Sequence, residues 1–453
     1  MVSRHLSLNP KYLEYLPGTT RHFFQKEIAE VQNAQEQCLI VEAPTGAGKT
    51  RALSDLAMEC SSPLSSVLLI VSPTNALATQ TARDVGMHTG HLTVKAWSSK
   101  SLKKKGVDRN EELLNATMTS NVIVSNPDIL HLFTQNYYSF RNGGRQKNQT
   151  FEQGMNRLGT HVFDEYHSYD ERMLASVITY MLKARALAQC NHHRYVFLSA
   201  TPNPALEDIL AEFGFSFRKI VQIGTGEAVG DSREYRYRLD VEIATGIVED
   251  FLNLLPAPSE TVPRTMVVFD SFAHQHLIFN KLLASGYKEF PEGNVVSLTG
   301  RDTKSKQGQV DWSKAAIIMA TSKADLGLNI DDLEQLIMEP GWYTNQFYQR
   351  FGRAGRSRET RVLIVVPSEA EKLLSLQTGD DEGDLRSIMT ALTKTNGFSI
   401  FRLKNYVGFY LAACEHNLIK PGISEVIRSI SLPEESNLSR LMLRKMERLE
   451  RDY

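Results

Sequence analysis

Cys38-Leu-Ile-Val-Glu-Ala-Pro-Thr-Gly-Ala-Gly-Lys-Thr-Arg-Ala-Leu-Ser-Asp-Leu-Ala-Met-Glu-Cys60 passes from a short apolar run, through a loop of small residues, into a helical pattern. Glycine at 46 and 48 lets the chain turn tightly at a helix N-terminus. The N–H groups exposed there can wrap a phosphate chain, and the helix dipole favours an anion at the same place. In that geometry Thr45, Gly46, Ala47 and Gly48 form the cradle and Lys49 neutralises the β- and γ-phosphates. The Thr50 hydroxyl joins a Mg²⁺ shell. The stretch therefore predicts strand, phosphate loop and helix, with ATP and Mg²⁺ as cofactors.

Outward from this stretch, as far as about Gln222, Val67-Leu-Leu-Ile-Val71, Asn121-Val-Ile-Val-Ser125, Thr160-His-Val-Phe163 and Tyr195-Val-Phe-Leu198 alternate with helical stretches. Strands apolar along their whole length fit a parallel sheet covered on both faces. A second series runs through Thr265-Met-Val-Val-Phe269, Asn294-Val-Val-Ser-Leu298, Ala315-Ala-Ile-Ile-Met-Ala320, Gln335-Leu-Ile-Met338 and Arg361-Val-Leu-Ile-Val-Val366, and predicts a second sheet. Between them the Gly-rich, polar stretch Gly224–Ser232 reads as a linker. After Pro367 the strand pattern stops. The rest reads as helical through Asn405–Cys414 and an amphipathic, basic segment, Leu438–Leu449, expected to lie on the surface. The expected class is α/β, with a first domain at 1–225, a linker at 226–232, a second domain at 233–367 and a helical C-terminal region at 368–453.

A chain of 453 residues suggests two to three domains, and 42% hydrophobic with 23% charged residues is a globular composition. The net charge of −1 provides no global positive field, so a bound nucleic acid would lie in a local groove. No apolar run approaches the roughly 20 residues that span a bilayer, and the start lacks a secretory core, so no membrane association and a cytoplasmic location are expected. Cys38, Cys60, Cys190 and Cys414 are scattered without a C-x-x-C pair, and the 12 histidines form no ligand pattern, which argues against zinc or iron-sulfur chemistry. Ser98–Gly106 and Arg141–Asn148 read as polar surface loops.

Three further strings carry chemistry. Asp164-Glu165 closes an apolar strand, where ligands of parallel sheets gather; Asp164 would hold Mg²⁺ through water and Glu165 would activate the attacking water. Ser199-Ala-Thr201 closes the next strand and places small hydroxyls within reach of His167. In Gln349-Arg-Phe-Gly-Arg-Ala-Gly-Arg356, the spacing of Gln349, Arg353 and Arg356 predicts one helix face suited to a γ-phosphate.

These strings resemble motifs I, II, III and VI of the D-E-x-H helicases of superfamily 2. Gln25 resembles their adenine-reading glutamine, Ser72-Pro-Thr-Asn75 motif Ia, and Ser125-Asn-Pro-Asp128 the later strand-contacting motif of the first lobe. Phe269-Asp-Ser271 resembles motif IV and Ala320-Thr-Ser-Lys-Ala-Asp-Leu-Gly-Leu-Asn-Ile330 motif V. The resemblance implies two tandem RecA-like domains, with Arg353 and Arg356 as fingers on the γ-phosphate and His167, Ser199 and Thr201 as a relay. It also implies a single strand held through its backbone near Thr74, Asn75, Asn126, Ser271 and Thr321.

Asp164-Glu-Tyr-His-Ser-Tyr-Asp170 is similar to the corresponding stretch in the helicase of type I CRISPR interference, with Ser168 for the usual alanine. No His-Asp dipeptide occurs, so the resemblance is to the stand-alone helicase of subtype I-D, whose histidine-aspartate nuclease is another subunit. Implied partners are single-stranded DNA and a guide-RNA surveillance complex, and the implied polarity is 3′ to 5′. An RNA helicase or DNA-repair translocase of the same superfamily is the alternative enzyme. A non-hydrolytic nucleotide-sensing scaffold is the alternative of another class.

Overall fold

The computed structural model describes residues 2–61, 66–97, 109–135, 148–187, 193–201, 203, 205–255, 262–289, 294–298, 315–321, 330, 332–394 and 400–417. Ser98–Gly106, nearly all of Arg141–Asn148, Cys190, the motif V stretch at 322–329 and Leu438–Leu449 lie outside them.

Residues 21–44, 48–222 and the helix Ile400–Asn417 form one compact unit, here the lysine unit; residues 2–20, 45–47 and 223–394 form the other, the arginine unit. In the lysine unit the strands run in the order β5 (Val94–Ala96), β6 (Val122–Ser125), β4 (Val67–Val71), β7 (Leu158–Asp164), β8 (Arg194–Ser199), β3 (Cys38–Glu42) and β9 (Phe217–Val221), all parallel. Parallel pairing needs crossover connections. Helix α1 (Phe23–Ala29) precedes β3, and α2 (Lys49–Cys60), α3 (Asn75–Thr89), α4 (Arg109–Thr119), α5 (Pro127–Thr134), α6 (Asn148–Arg157), α7 (Glu171–Leu187) and α8 (Ala205–Glu212) stand along these connections. All five residues of β4 are buried, as a central strand covered on both faces requires. Cys38 and Cys60 are buried free thiols, and burial raises the pKa of both.

The arginine unit holds a two-stranded ribbon, β2 (Lys11–Glu14) with β10 (Ser232–Arg236), and a sheet in the order β1 (Ser3–Leu8), β11 (Leu239–Thr245), β16 (Thr360–Val366), β15 (Gln335–Met338), β12 (Thr265–Val268), β14 (Ile317–Ala320) and β13 (Val295–Leu298). Only β1 pairs antiparallel in this sheet of described strands. Its helices are α9 (Asp250–Leu254), α10 (Phe272–Ala284), α11 (Thr344–Phe351) and α12 (Asp381–Leu392).

Two placements differ from the boundaries drawn on sequence. The first 20 residues were expected in the 1–225 domain, but β1 pairs with β11 from Ser3 opposite Ala244 to Leu8 opposite Leu239, burying Leu6 and Leu8 in the second sheet's core. Arg4 strengthens this attachment through an ion pair to Asp384 on α12. The C-terminal helical region is also not one body. α12 belongs to the arginine unit, whereas α13 (Ile400–Asn417) returns to the lysine unit and packs along α7. Leu403, Val407 and Leu411, at steps of four along α13, enter that unit's core. At the edge Lys404 Nζ lies 2.6 Å from Glu212 Oε1, and Gln135 Nε2 donates to the Tyr410 carbonyl at 3.1 Å.

Leu403→Ala is expected to lower unfolding stability by about 2–5 kcal/mol, the cost of a buried leucine lost to a cavity. Chemical denaturation followed by tryptophan fluorescence checks this, and a loss below about 1 kcal/mol would place Leu403 outside the core. Among the described residues no helix is long and apolar enough to cross a membrane.

Candidate nucleotide site

β3, β8 and β7 are neighbours in the sheet, so the turns that follow them meet at one edge. The Ala43 N–H donates to the Ser199 carbonyl at 2.9 Å, tying the start of the phosphate loop to the end of β8. Gly46 and Gly48 take φ values of 82° and 89°, the left-handed region where a side chain would be strained, and α2 starts at Lys49 with Gly48 as its N-cap. Predicted strand, loop and helix thus occupy the expected residues. Gln25 does more than precede the loop. Its Oε1 accepts the His22 N–H at 2.8 Å and its Nε2 donates to the Gly48 carbonyl at 3.1 Å, so its buried amide braces the cradle from α1.

Lys49 Nζ lies 3.2 Å from Glu165 Oε1, and Glu165 Oε2 lies 3.4 Å from His167 Nδ1. His167 Nδ1 is 2.6 Å from Ser199 Oγ, which also accepts the Thr201 N–H at 3.0 Å. The structure therefore brings Lys49, Glu165, His167, Ser199 and Thr201 into one chain of contacts. Glu165 is held at φ 49°, an unfavourable left-handed conformation for a non-glycine residue that costs about 1–3 kcal/mol. The 3-10 turn Tyr166–Ser168 follows directly, so the strain aims the carboxylate while the chain reverses.

Asp164 is buried, and its pKa is raised to about 7, first by burial and next by the Glu165 charge, against a lowering by Lys49. A buried carboxylate beside a half-buried one, with one ammonium beside them, suits an added cation. The hard oxygens of Asp164 and Thr50 fit Mg²⁺. Among the described residues no group of three or more His, Cys, Asp or Glu could hold a metal by itself. The ion would therefore need the oxygens of a phosphate chain and water to complete its shell.

The Asp164 shift has a testable sign. Between pH 3.8 and about 7 the folded chain binds more protons at Asp164 than the unfolded chain, so the stability due to this group is lost as pH rises through that window. Thermal melting at pH 5.5 and pH 8 should show Asp164→Asn gaining on the wild type at the higher pH. Equal slopes in the two proteins would show that Asp164 ionises normally.

The Ser168-Tyr169-Asp170 extension is engaged within the fold. Ser168 Oγ donates to the Glu165 carbonyl at 2.7 Å and Tyr169 OH to the Val71 carbonyl at 2.8 Å. Asp170 Oδ1 accepts the Met173 N–H at 2.8 Å, in the first turn of α7.

In the arginine unit, Gln349, Arg353 and Arg356 do not share a helix face as the spacing suggested. α11 ends at Phe351, and only Gln349 of the three lies on it. The chain tightens into turns, with Arg353 N–H to the Arg350 carbonyl and Ala354 N–H to the Phe351 carbonyl, both 3.0 Å. Gly355 at φ 68° then prevents the helix from resuming. Gln349 and Arg353 are buried, and Arg356 Nε donates to the Gly352 carbonyl at 2.9 Å.

The strand-contact candidates lie at C-terminal strand ends, mostly as helix caps. Thr74 Oγ1 accepts the Leu77 N–H at 3.3 Å, Asn126 Oδ1 the Ile129 N–H at 2.9 Å and Ser271 Oγ the His274 N–H at 3.1 Å. Asn126 Nδ2 also donates to Asn75 Oδ1 at 2.8 Å, so two of the predicted contacts hold each other. Thr321 is buried at the end of β14.

Sequence reasoning missed Arg350, whose guanidinium is buried against Asp270 and the Glu339 carbonyl. Its signal was present in the Gln349–Arg356 string, but the periodicity argument selected its neighbours.

A glycine-rich loop, an acidic pair and a hydroxyl turn thus follow three adjacent parallel strands of one α/β sheet. Residues 23–209 match the family model of the DEAD/DEAH box helicases. No curated protein matches the sequence. Its fold is that of tandem RecA-like helicase structures. The DUF1998 helicase MrfA bound to DNA is similar at a TM-score of 0.65 and 14% identity, over 91% of this chain and 60% of that one. The Mycobacterium smegmatis helicase Lhr bound to ssDNA and AMP-PNP is similar at 0.64 and 16%, over 90% and 53%. S. cerevisiae Dbp5 bound to RNA and ADP BeF3 is similar at 0.55 and 16%, over 82% and 93%. The chain thus spans well under two thirds of the lengths of MrfA and Lhr.

Proposed function

We propose that this protein is an ATP-dependent helicase or translocase acting on single-stranded DNA. The observation that carries the reading is the contact chain from Lys49 through Glu165 and His167 to Ser199, because it joins the phosphate-binding lysine to the hydrolytic carboxylate and the hydroxyl turn. A triphosphate in the cradle competes for the Lys49 ammonium and frees Glu165 to take a proton from the attacking water. Mg²⁺, held by Asp164 and Thr50 together with the nucleotide, would supply charge neutralisation on the phosphates. The same reading gives Gln349, Arg353 and Arg356 a role on the γ-phosphate. His167, Ser199 and Thr201 report its state to the strand-contacting helix starts. At those starts Thr74, Asn75, Asn126 and Ser271, and Thr321 at the end of β14, leave neighbouring backbone N–H groups for phosphates, a mode that reads no sequence.

The finer proposal is unwinding of target DNA in type I CRISPR interference, of the I-D kind, 3′ to 5′ and in the cytoplasm. A guide-RNA surveillance complex would recruit the protein and a separate histidine-aspartate nuclease would cut. It rests on the likeness of Asp164–Asp170 to that helicase. MrfA and Lhr, solved with DNA, favour DNA as the substrate, whereas the likeness to RNA-bound Dbp5 favours an RNA helicase as the second reading. ATP turnover measured with oligothymidylate and with oligouridylate separates the two: stimulation by RNA alone would remove the DNA reading and the CRISPR role with it. Co-purification from the native host, probed for guide RNA and the nuclease, tests the recruitment.

A further inference from the structure

The largest fully buried side chain among the described residues is charged: Arg350, in the last turn of α11. Its Nη1 bonds the carboxylate of Asp270, just beyond β12, and donates to the Glu339 carbonyl, just beyond β15, at 3.0 Å. The Glu339 side chain then returns to the same place. One oxygen accepts the Asp270 N–H at 2.5 Å, and the other lies 3.0 Å from His274 Nδ1 in the first turn of α10. Between Asp270 and α10 stands Ser271, the N-cap. Two strand ends, the helix leading into the arginine turn and the start of α10 are thus joined by four polar side chains. A buried ion pair is weak evidence for stability, since apolar side chains of similar volume often stabilise as well or better. Its distinctive product is geometry, because one end of the planar guanidinium fixes two partners at once.

We propose that Arg350 is a positioning residue that, through Asp270 and Glu339, makes the arginine turn and the Ser271 turn one rigid piece, so that γ-phosphate engagement and strand contact change together. The inference rests on the nucleic-acid reading above and adds how the two ligands communicate within the arginine unit. Movement of the Gly352–Arg356 turn is carried by Arg350 to Asp270, and the Asp270 N–H and carboxylate orient the backbone entering Ser271. The coupling must be reciprocal, so bound DNA should favour nucleotide as much as nucleotide favours DNA.

The test uses the full chain and a fluorescein-labelled oligothymidylate, with oligouridylate in parallel, and measures strand affinity by anisotropy with and without AMP-PNP. Asp270→Asn is expected to keep strand affinity without nucleotide, and AMP-PNP affinity without strand, within about twofold, while the AMP-PNP effect on strand affinity falls to near one. Wild-type coupling retained in Asp270→Asn overturns the inference and leaves the helicase reading standing. A wild-type protein whose nucleotide and strand affinities are independent for both oligonucleotides overturns the helicase reading and the inference together. Should Asp270→Asn melt early, Asp270→Asn combined with Arg350→Gln removes both charges of the pair, the buried guanidinium included, and should recover the melting temperature. The double variant is expected to stay uncoupled, whereas recovery of coupling along with stability would make Arg350 purely structural.

Discussion

Glu165→Gln should lower ATP turnover by about two to four orders of magnitude while nucleotide affinity changes little, because the amide keeps the shape of the side chain but cannot accept the proton of the attacking water. The geometry sharpens the expectation. Glu165 contacts both Lys49 and His167, and its backbone is held at φ 49°, so the glutamine stays in place and only the basicity is lost. Single-turnover hydrolysis and equilibrium binding of a fluorescent ATP analogue measure the two halves separately. Turnover within threefold of the wild type would take Glu165 out of the base role.

Arg353→Ala is expected to reduce kcat by about three orders of magnitude or more, the range of an arginine that stabilises charge on a transferring phosphoryl group. KM for ATP should move far less, because the contact is made chiefly in the transition state. Arg353→Lys should recover only a small part, since a point charge does not replace the planar fork. Because Arg353 is buried, melting temperatures of both variants must accompany the kinetics. A kcat within tenfold of the wild type in a folded Arg353→Ala protein would exclude it as a finger.

The site was legible in proportion to how locally its geometry is made. The Cys38–Cys60 stretch carries strand, glycine turn and helix in consecutive residues, and the structure has them there. Asp164 and Glu165 were legible because an apolar strand ends beside them. The helix face drawn through Gln349, Arg353 and Arg356 was a local inference too. It failed because spacing assumes that a helix continues, and α11 stops at Phe351. Strand β11, Leu-Asp-Val-Glu-Ile-Ala-Thr, alternates in burial and so lacks the continuous apolar run that revealed its neighbours. Candidate strand-contact residues such as Thr74, Asn126 and Ser271 were found at strand ends, but the same side chains cap helices, and spacing does not distinguish the two uses.

By itself the sequence determined the chemical groups of this protein: the lysine, the acidic pair, the hydroxyl turn and the arginines, each in a string short enough for neighbouring dihedral preferences to set its shape. Only the tertiary structure decided that β3, β8 and β7 stand side by side, which is what draws Lys49, Glu165, His167 and Ser199 together. It also decided that β1 completes the second sheet, that α13 returns to the first, and that Arg350 is buried between two strand ends. These outcomes depend on partners up to hundreds of residues apart, where strand order and core packing, and no periodicity along the chain, select which surfaces meet.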